Sequence, residues 1–141
     1  MISILYSNKS FGGAEIYVRK LSSDFNIPYY TIKNNSLFFL LKLCVSEKSI
    51  VFHDLRASLF KLTRPFNKDK IIIHGPGKYP KLLKILIYIF SFTKCEIIMV
   101  SEDLYNQYKK FNKIKLLENT SSFNNVTLKF NSLDFIYFGR L

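Results

Sequence analysis

The stretch Lys70-Ile71-Ile72-Ile73-His74-Gly75-Pro76-Gly77 decides how this chain is read. Its first four residues have β-strand character and run into a turn built from glycine and proline. A long apolar segment of helical character follows over residues 80–94, and a second β-branched run, Ile97-Ile98-Met99-Val100, comes after it. Strand, turn, helix and strand in that order make one βαβ unit, whose right-handed crossover sets its two strands parallel. Both runs are continuously apolar rather than alternating, which is the pattern of strands buried on both faces.

The same rhythm extends in both directions. Towards the N-terminus, strands are expected at residues 2–6, 29–32 and 49–52. Between them lie helices at 12–25, with Ile16, Tyr17, Leu21 and Phe25 near helical spacing, and at 37–45, behind the natural cap Asn34-Asn35-Ser36. A shorter helix at 57–62 is stopped by Arg64-Pro65. Towards the C-terminus, Ser101 caps a helix through about residue 110, with Asp103 favourably placed in its first turn. Strands at 114–117 and 133–138 complete the pattern. The expected fold class is α/β, a Rossmann-like parallel sheet with helices on both faces.

The bulk numbers fit a globular chain. It has 141 residues, 48% hydrophobic and 22% charged, enough for one domain with a real core. The net charge of +11, from 21 Lys and Arg against 10 Asp and Glu, favours an anionic partner. Eight basic residues (Arg56, Lys61, Arg64, Lys68, Lys70, Lys78, Lys81 and Lys84) and one acid, Asp69, fall between 56 and 84. Such a run reads first as solvated surface. No helix-turn-helix, zinc-finger or RNP-like motif accompanies the charge, so no nucleic-acid partner is expected. Cys44 and Cys95 sit in apolar runs without CxxC spacing, as buried reduced thiols do, and no metal site is expected. Residues 1–6 lack the features of a signal peptide, and with the reduced thiols this points to the cytosol.

The helix at 80–94 carries more apolar surface than one sheet contact requires. Lys81, Lys84, Tyr88 and Ser91 form a single narrow stripe, and nearly everything else is large and apolar. Its uninterrupted segment falls far short of the ~20 residues that span a bilayer. A neighbouring domain is the first reading of the excess. Peripheral contact with an anionic membrane surface, with Lys78, Lys81 and Lys84 facing it, is the second.

In an open parallel sheet, ligands bind beyond the C-terminal ends of the strands. There the sequence places Gly12-Gly13, His53, His74-Gly75, Ser101-Glu102 and Glu118-Asn119. The glycine pair is either a tight turn or a loop whose N–H groups approach an anion, with no GxGxxG or P-loop spacing to decide. Either histidine is an ordinary hydrogen-bonded side chain or a member of a cleft.

Read together, these residues resemble the large retaining glycosyltransferase family of GT-B architecture known as family 4. Phe11-Gly12-Gly13-Ala14-Glu15 is similar to its GGAE loop and helix. The strand ending in His74-Gly75 and the strand leading to Ser101-Glu102 occur in the family's order. Phe135-Ile136-Tyr137-Phe138-Gly139-Arg140-Leu141 looks like the opening strand and Gly-Arg turn of the family's C-terminal domain. The resemblance implies an N-terminal, acceptor-side domain over residues 1–131, with 132–141 opening a second, nucleotide-sugar-binding domain. It implies transfer of a sugar, with retention, from a nucleotide-diphosphate sugar to a cell-envelope polysaccharide or lipid-linked acceptor, without a metal or other cofactor.

In that scheme Gly12, Gly13 and Arg140 lie near the donor phosphates and His74 near the transferred sugar. Glu15, His53, Gly75, Ser101, Glu102 and Asn119 line the cleft. The family's Pro-Asn-Gly near the linker is Glu118-Asn119-Thr120 here, so only Asn119 carries over. The lysine and paired glutamates that hold the donor would come from a further half, encoded with this one or separately, and this chain alone is expected to be inactive. The alternative is a non-catalytic module, derived from such an enzyme, that docks on a membrane or partner.

Overall fold

The computed structural model describes residues 1–6, 13–75, 80–111 and 113–117. Their elements run β1 (Ile2–Leu5), α1 (Gly13–Phe25), β2 (Tyr29–Thr31), α2 (Leu37–Ser46), β3 (Ile50–His53), α3 (Asp54–Ser58), β4 (Asp69–Ile73), α4 (Pro80–Ser91), β5 (Cys95–Met99), α5 (Glu102–Tyr108) and β6 (Ile114–Leu116). Short 3₁₀ turns occupy Ile32–Asn34 and Leu59–Thr63. The strands form one six-stranded, all-parallel sheet in the order β2-β1-β3-β4-β5-β6. This is the expected Rossmann-like α/β class. The order reverses beside β1: the chain first moves outward to β2, then crosses back to β3 and continues away.

That reversal distributes the helices. α2, α3, α4 and α5 supply Cys44, Ala57, Leu83, Leu86, Ile87, Phe90, Leu104 and Tyr108 to one core, against Ile4, Phe52, Ile71 and Met99 of the sheet. On the other face α1 is the one described helix, packing Tyr17, Val18 and Leu21 against Leu5, Val51, Ile72 and Ile98. The buried face of α1 therefore differs from the expected one: Ile16 and Phe25 are exposed, and Val18 takes the inward place. Asn26, in the left-handed region at φ 51°, ends that helix.

The expectation of strands buried on both faces holds for Ile71–Ile73 and fails one residue earlier. On the α1 side Lys70 and Lys115 flank Glu96, with Lys115 Nζ 3.0 Å and Lys70 Nζ 3.9 Å from its carboxylate. These are cross-strand pairs in solvent, each worth only a few tenths of a kcal/mol. The lower half of that face is polar.

Two members of the basic run are not on the surface at all. Lys61 and Asp69 are fully buried and Arg64 nearly so. Asp69 Oδ2 accepts from Lys61 Nζ at 3.0 Å and from Arg64 Nε at 2.9 Å, while Oδ1 accepts from the Ile50 backbone N–H at 2.9 Å. Lys61 Nζ also donates to the carbonyls of Arg64 and Asn67, at 2.8 and 2.6 Å. The Arg64 guanidinium donates to the carbonyls of Cys44, Glu47 and Lys48 at the end of α2. One carboxylate and two cations thus join α2, β3 and β4 at the N-terminal edge of the sheet.

The helix expected at 57–62 starts earlier and tightens into a 3₁₀ turn. Asp54 Oδ1 accepts from the N–H groups of Arg56 and Ala57, nucleating the turn ahead of the expected start. The 3₁₀ segment then directs Lys61 inward.

Removing the shared carboxylate strands two buried cations, whereas removing Lys61 leaves a balanced ion pair. Asp69→Asn is expected to destabilise the chain by about 3–5 kcal/mol in urea unfolding, and Lys61→Met by distinctly less. The reverse ranking would refute this account of the edge.

Candidate functional site at the C-terminal edge of the sheet

The strand order reverses between β1 and β3, and open α/β sheets bind ligands beyond the C-terminal ends of the strands at such a point. β3 ends there in His53, which is fully buried, and the neighbouring β4 delivers His74 just past Ile73. The rings lie 5.7 Å apart between centroids, with an interplanar angle of 23°. His53 Nδ1 and His74 Nε2 are 3.4 Å apart, one donating to the other according to tautomer. From α1 the Tyr17 ring leans against both imidazoles at 5.8 Å. A buried strand end, a strand-edge turn and a helix on one face bring the three rings together.

Burial makes this pair neutral. Desolvation drives the His53 pKa well below its ordinary value, and the neighbouring His74 adds to the depression. His74 is lowered to about 4, mainly by desolvation, against which the Glu15 carboxylate works. Desolvation likewise raises the Tyr17 hydroxyl far above its usual range, so it stays protonated. His53 Nε2 is buried without a hydrogen-bond partner among the described residues. A Cβ added at Gly75, next to His74 in the chain, would meet no atom within 4 Å.

Asp54 belongs to this edge and was not singled out from sequence. Its backbone lies in the left-handed region at φ 73°, an uncommon position for a non-glycine residue. Its carboxylate caps α3 and its Oδ2 accepts from the Tyr6 N–H, 3.4 Å away at the end of β1. It therefore ties the two strands that flank the reversal, and burial raises its pKa against the pull of those N–H donors. Tyr6 in turn lies under the Arg56 guanidinium, 4.2 Å from ring centroid to Cζ. Tyr17 was read only as core. The residue pattern carries no sign that Tyr17 would meet the histidines, because its contacts with them span 36 and 57 positions of chain.

The other sequence candidates divide. Glu15 sits in the first turn of α1, within electrostatic reach of His74. Ser101 lies one strand beyond His74, at the end of β5, and its hydroxyl accepts from the Leu104 N–H as the cap of α5. Glu102 is exposed in the first turn of that helix. These two serve the helix and do not join the histidine cluster. Gly13 opens α1. Gly12, Lys78, Asn119 and Arg140 lie outside the described residues, as do the strand at 133–138 and the domain opening at 132–141. Lys81 and Lys84 are exposed on α4.

A groove of about 470 Å³ lies at the opposite edge, lined by Lys68, Asp69, Lys70, Lys94, Cys95, Glu96 and Lys113. Several of its charges are engaged in structure: Asp69 in the buried triad, Lys70 with Glu96, and Lys113 Nζ donating to the Ser91 and Thr93 carbonyls. Cys44 and Cys95 are free, buried thiols whose pKa values are raised by desolvation, so neither is a nucleophile at neutral pH. Among the described residues no group of three or more His, Cys, Asp or Glu is arranged to hold a metal ion.

The fold and this edge define a class: an open α/β domain with a neutral imidazole pair beside its strand-order reversal. Compared with known proteins, the chain matches no protein-family profile, no curated protein and no solved structure. The class stands on sheet order and site geometry.

The depressed histidines have a thermodynamic consequence. Their folded pKa lies below the unfolded value, so the unfolded chain binds more protons on acidification. Stability is retained above about pH 6.5 and falls as pH drops towards 4, at up to about 1.4 kcal/mol per pH unit for each histidine. His74→Gln should flatten the slope of urea-unfolding stability in that window. An unchanged slope would show that the imidazole is not desolvated.

Proposed function

We propose that this chain is the acceptor-side, Rossmann-like half of a nucleotide-sugar-dependent glycosyltransferase, with His74 beside the sugar being transferred. The observation that carries the reading is the neutral His53–His74 pair at the strand-order reversal. With a pKa of about 4, His74 is a weak base at neutral pH. Its chemistry is that of a hydrogen-bonding group that can donate to or accept from a sugar hydroxyl, oriented by His53 behind it and by the Tyr17 ring. α1 starts at the same edge, so its N-terminal N–H groups favour an anion such as a diphosphate.

The resemblance of the GGAE-like loop and of the Gly-Arg turn supports the same assignment. On this reading the donor is a nucleotide-diphosphate sugar, and transfer to a cell-envelope glycan or lipid-linked acceptor proceeds with retention. The protein's part is positioning, together with electrostatic stabilisation of the leaving diphosphate by Arg140 and backbone dipoles. Glu15 and Gly75 border the sugar position. Most of the donor's contacts come from a second half, so binding to this chain alone is weak.

The test is a titration of the chain with a panel of uridine, guanosine and adenosine diphosphate sugars, followed by NMR of the imidazole C–H signals. At least one donor should shift the His74 and His53 signals. It should also raise the His74 pKa by about one unit or more, because an added anion favours the imidazolium. His74→Ala should abolish the response of the His53 signal. A panel that leaves both imidazoles unmoved at millimolar concentration would overturn the assignment.

A further inference from the structure

α2, α3 and α4 all pack on the same face of the sheet, so their outward sides form one layer surface. Among the described residues, nearly all large exposed apolar side chains belong to this layer or its loops; the exceptions, Ile16 and Phe25, are on α1. On α2, Phe38 is 80% and Val45 88% exposed. On α4, Ile85 and Ile89 are exposed, and Phe92 just beyond its end is 74% exposed. These helices need only a narrow stripe for the core: Leu40 and Cys44 from α2, and Leu83, Leu86, Ile87 and Phe90 from α4. The outward apolar side chains are surplus to folding, and a surface this apolar marks an interaction site.

The charge on the layer says what covers it. Neither α2 nor α4 contains an acidic residue, and Lys42, Lys81 and Lys84 are exposed among the apolar side chains. Lys42 is one turn from Phe38 and three residues from Val45, so its stem can lie along apolar surface while the ammonium reaches a polar boundary. A second copy of the chain would set these lysines against their own kind, in a molecule of net charge +11. An anionic lipid surface accepts both features, taking apolar side chains below its headgroups and pairing the lysines at headgroup level. No helix among the described residues is long and apolar enough to cross a membrane, so this contact lies in the interface.

We propose that the outward face of α2 and α4 docks the chain on an anionic membrane surface, with Phe38, Ile85 and Phe92 inserting and Lys42, Lys81 and Lys84 pairing with acidic headgroups. The inference rests on this layer alone and is independent of the transferase reading. The docking face is remote in the fold from the histidine edge, because one is a helix layer and the other the ends of the strands.

Flotation of the chain with vesicles of phosphatidylcholine, and of phosphatidylcholine mixed with phosphatidylglycerol, tests it. Binding should appear with the mixed vesicles and weaken with added salt. Neutralising Lys42, Lys81 and Lys84 together to Gln should lower partitioning by roughly two orders of magnitude, each lysine being worth about fivefold. The triple substitution Phe38→Ser, Ile85→Ser and Phe92→Ser should abolish binding. These side chains are exposed, so far-ultraviolet circular dichroism and the urea midpoint should stay near those of the parent chain. The proposal is overturned if the chain ignores mixed vesicles, or binds both compositions equally. It is also overturned if the apolar triple leaves lipid binding intact while converting a dimer to a monomer in sedimentation, which would assign the face to a second copy.

Discussion

The fold depends on a single carboxylate. Asp69 sits fully buried at the start of β4, where it accepts from Lys61, Arg64 and the Ile50 N–H. Through Arg64 it reaches the last carbonyls of α2, and through Lys61 it fixes the loop that leads into its own strand. Burying three charges is costly in desolvation, and only complete hydrogen bonding makes it tolerable. The cost brings geometry: the register of β3 on β4 and the end of α2 are set by directional bonds rather than by apolar packing alone.

At the C-terminal edge the controlling effect is desolvation rather than charge. His53 and His74 meet where the sheet and α1 exclude water, and both lose affinity for protons. A chain of net charge +11 thus presents an uncharged imidazole pair at this edge, while many of its cations are engaged elsewhere. Some are buried as structure, some are paired along Lys70, Glu96 and Lys115, and some stand on the helix layer. Asp54 adds backbone strain at the same place, held by the N–H groups it caps. Strained residues of this kind persist where surrounding contacts over-determine them, and they gather at functional edges.

Much of the architecture could be read from residue order. Ile71-Ile72-Ile73 and Ile97-Ile98-Met99 needed no tertiary information to be recognised as buried strands, and Ser36 and Ser101 cap the helices they precede. Local rules failed where a distant partner decided the outcome. Lys61 and Arg64 look like surface residues in any window of sequence and are buried because Asp69 waits for them. Ile16 looks as good a core residue as Val18, and only the angle at which α1 meets the sheet separates them. The surplus on α4 was legible from its composition. That α2 shares its side of the sheet, and so extends the surplus into one surface, follows from the crossovers.

The sequence by itself determined the α/β class, the parallel strands and the presence of both histidines at strand ends, because those follow from periodicity, capping and the polarity of neighbours along the chain. Tertiary structure alone decided that the histidines touch, that Tyr17 joins their edge, that Asp54 ties it to Tyr6, and that both imidazoles are neutral. The physical reason is that proximity across strands is fixed by sheet order and register, and a pKa by how much water the assembled fold removes. Neither quantity exists until segments far apart in the chain have packed.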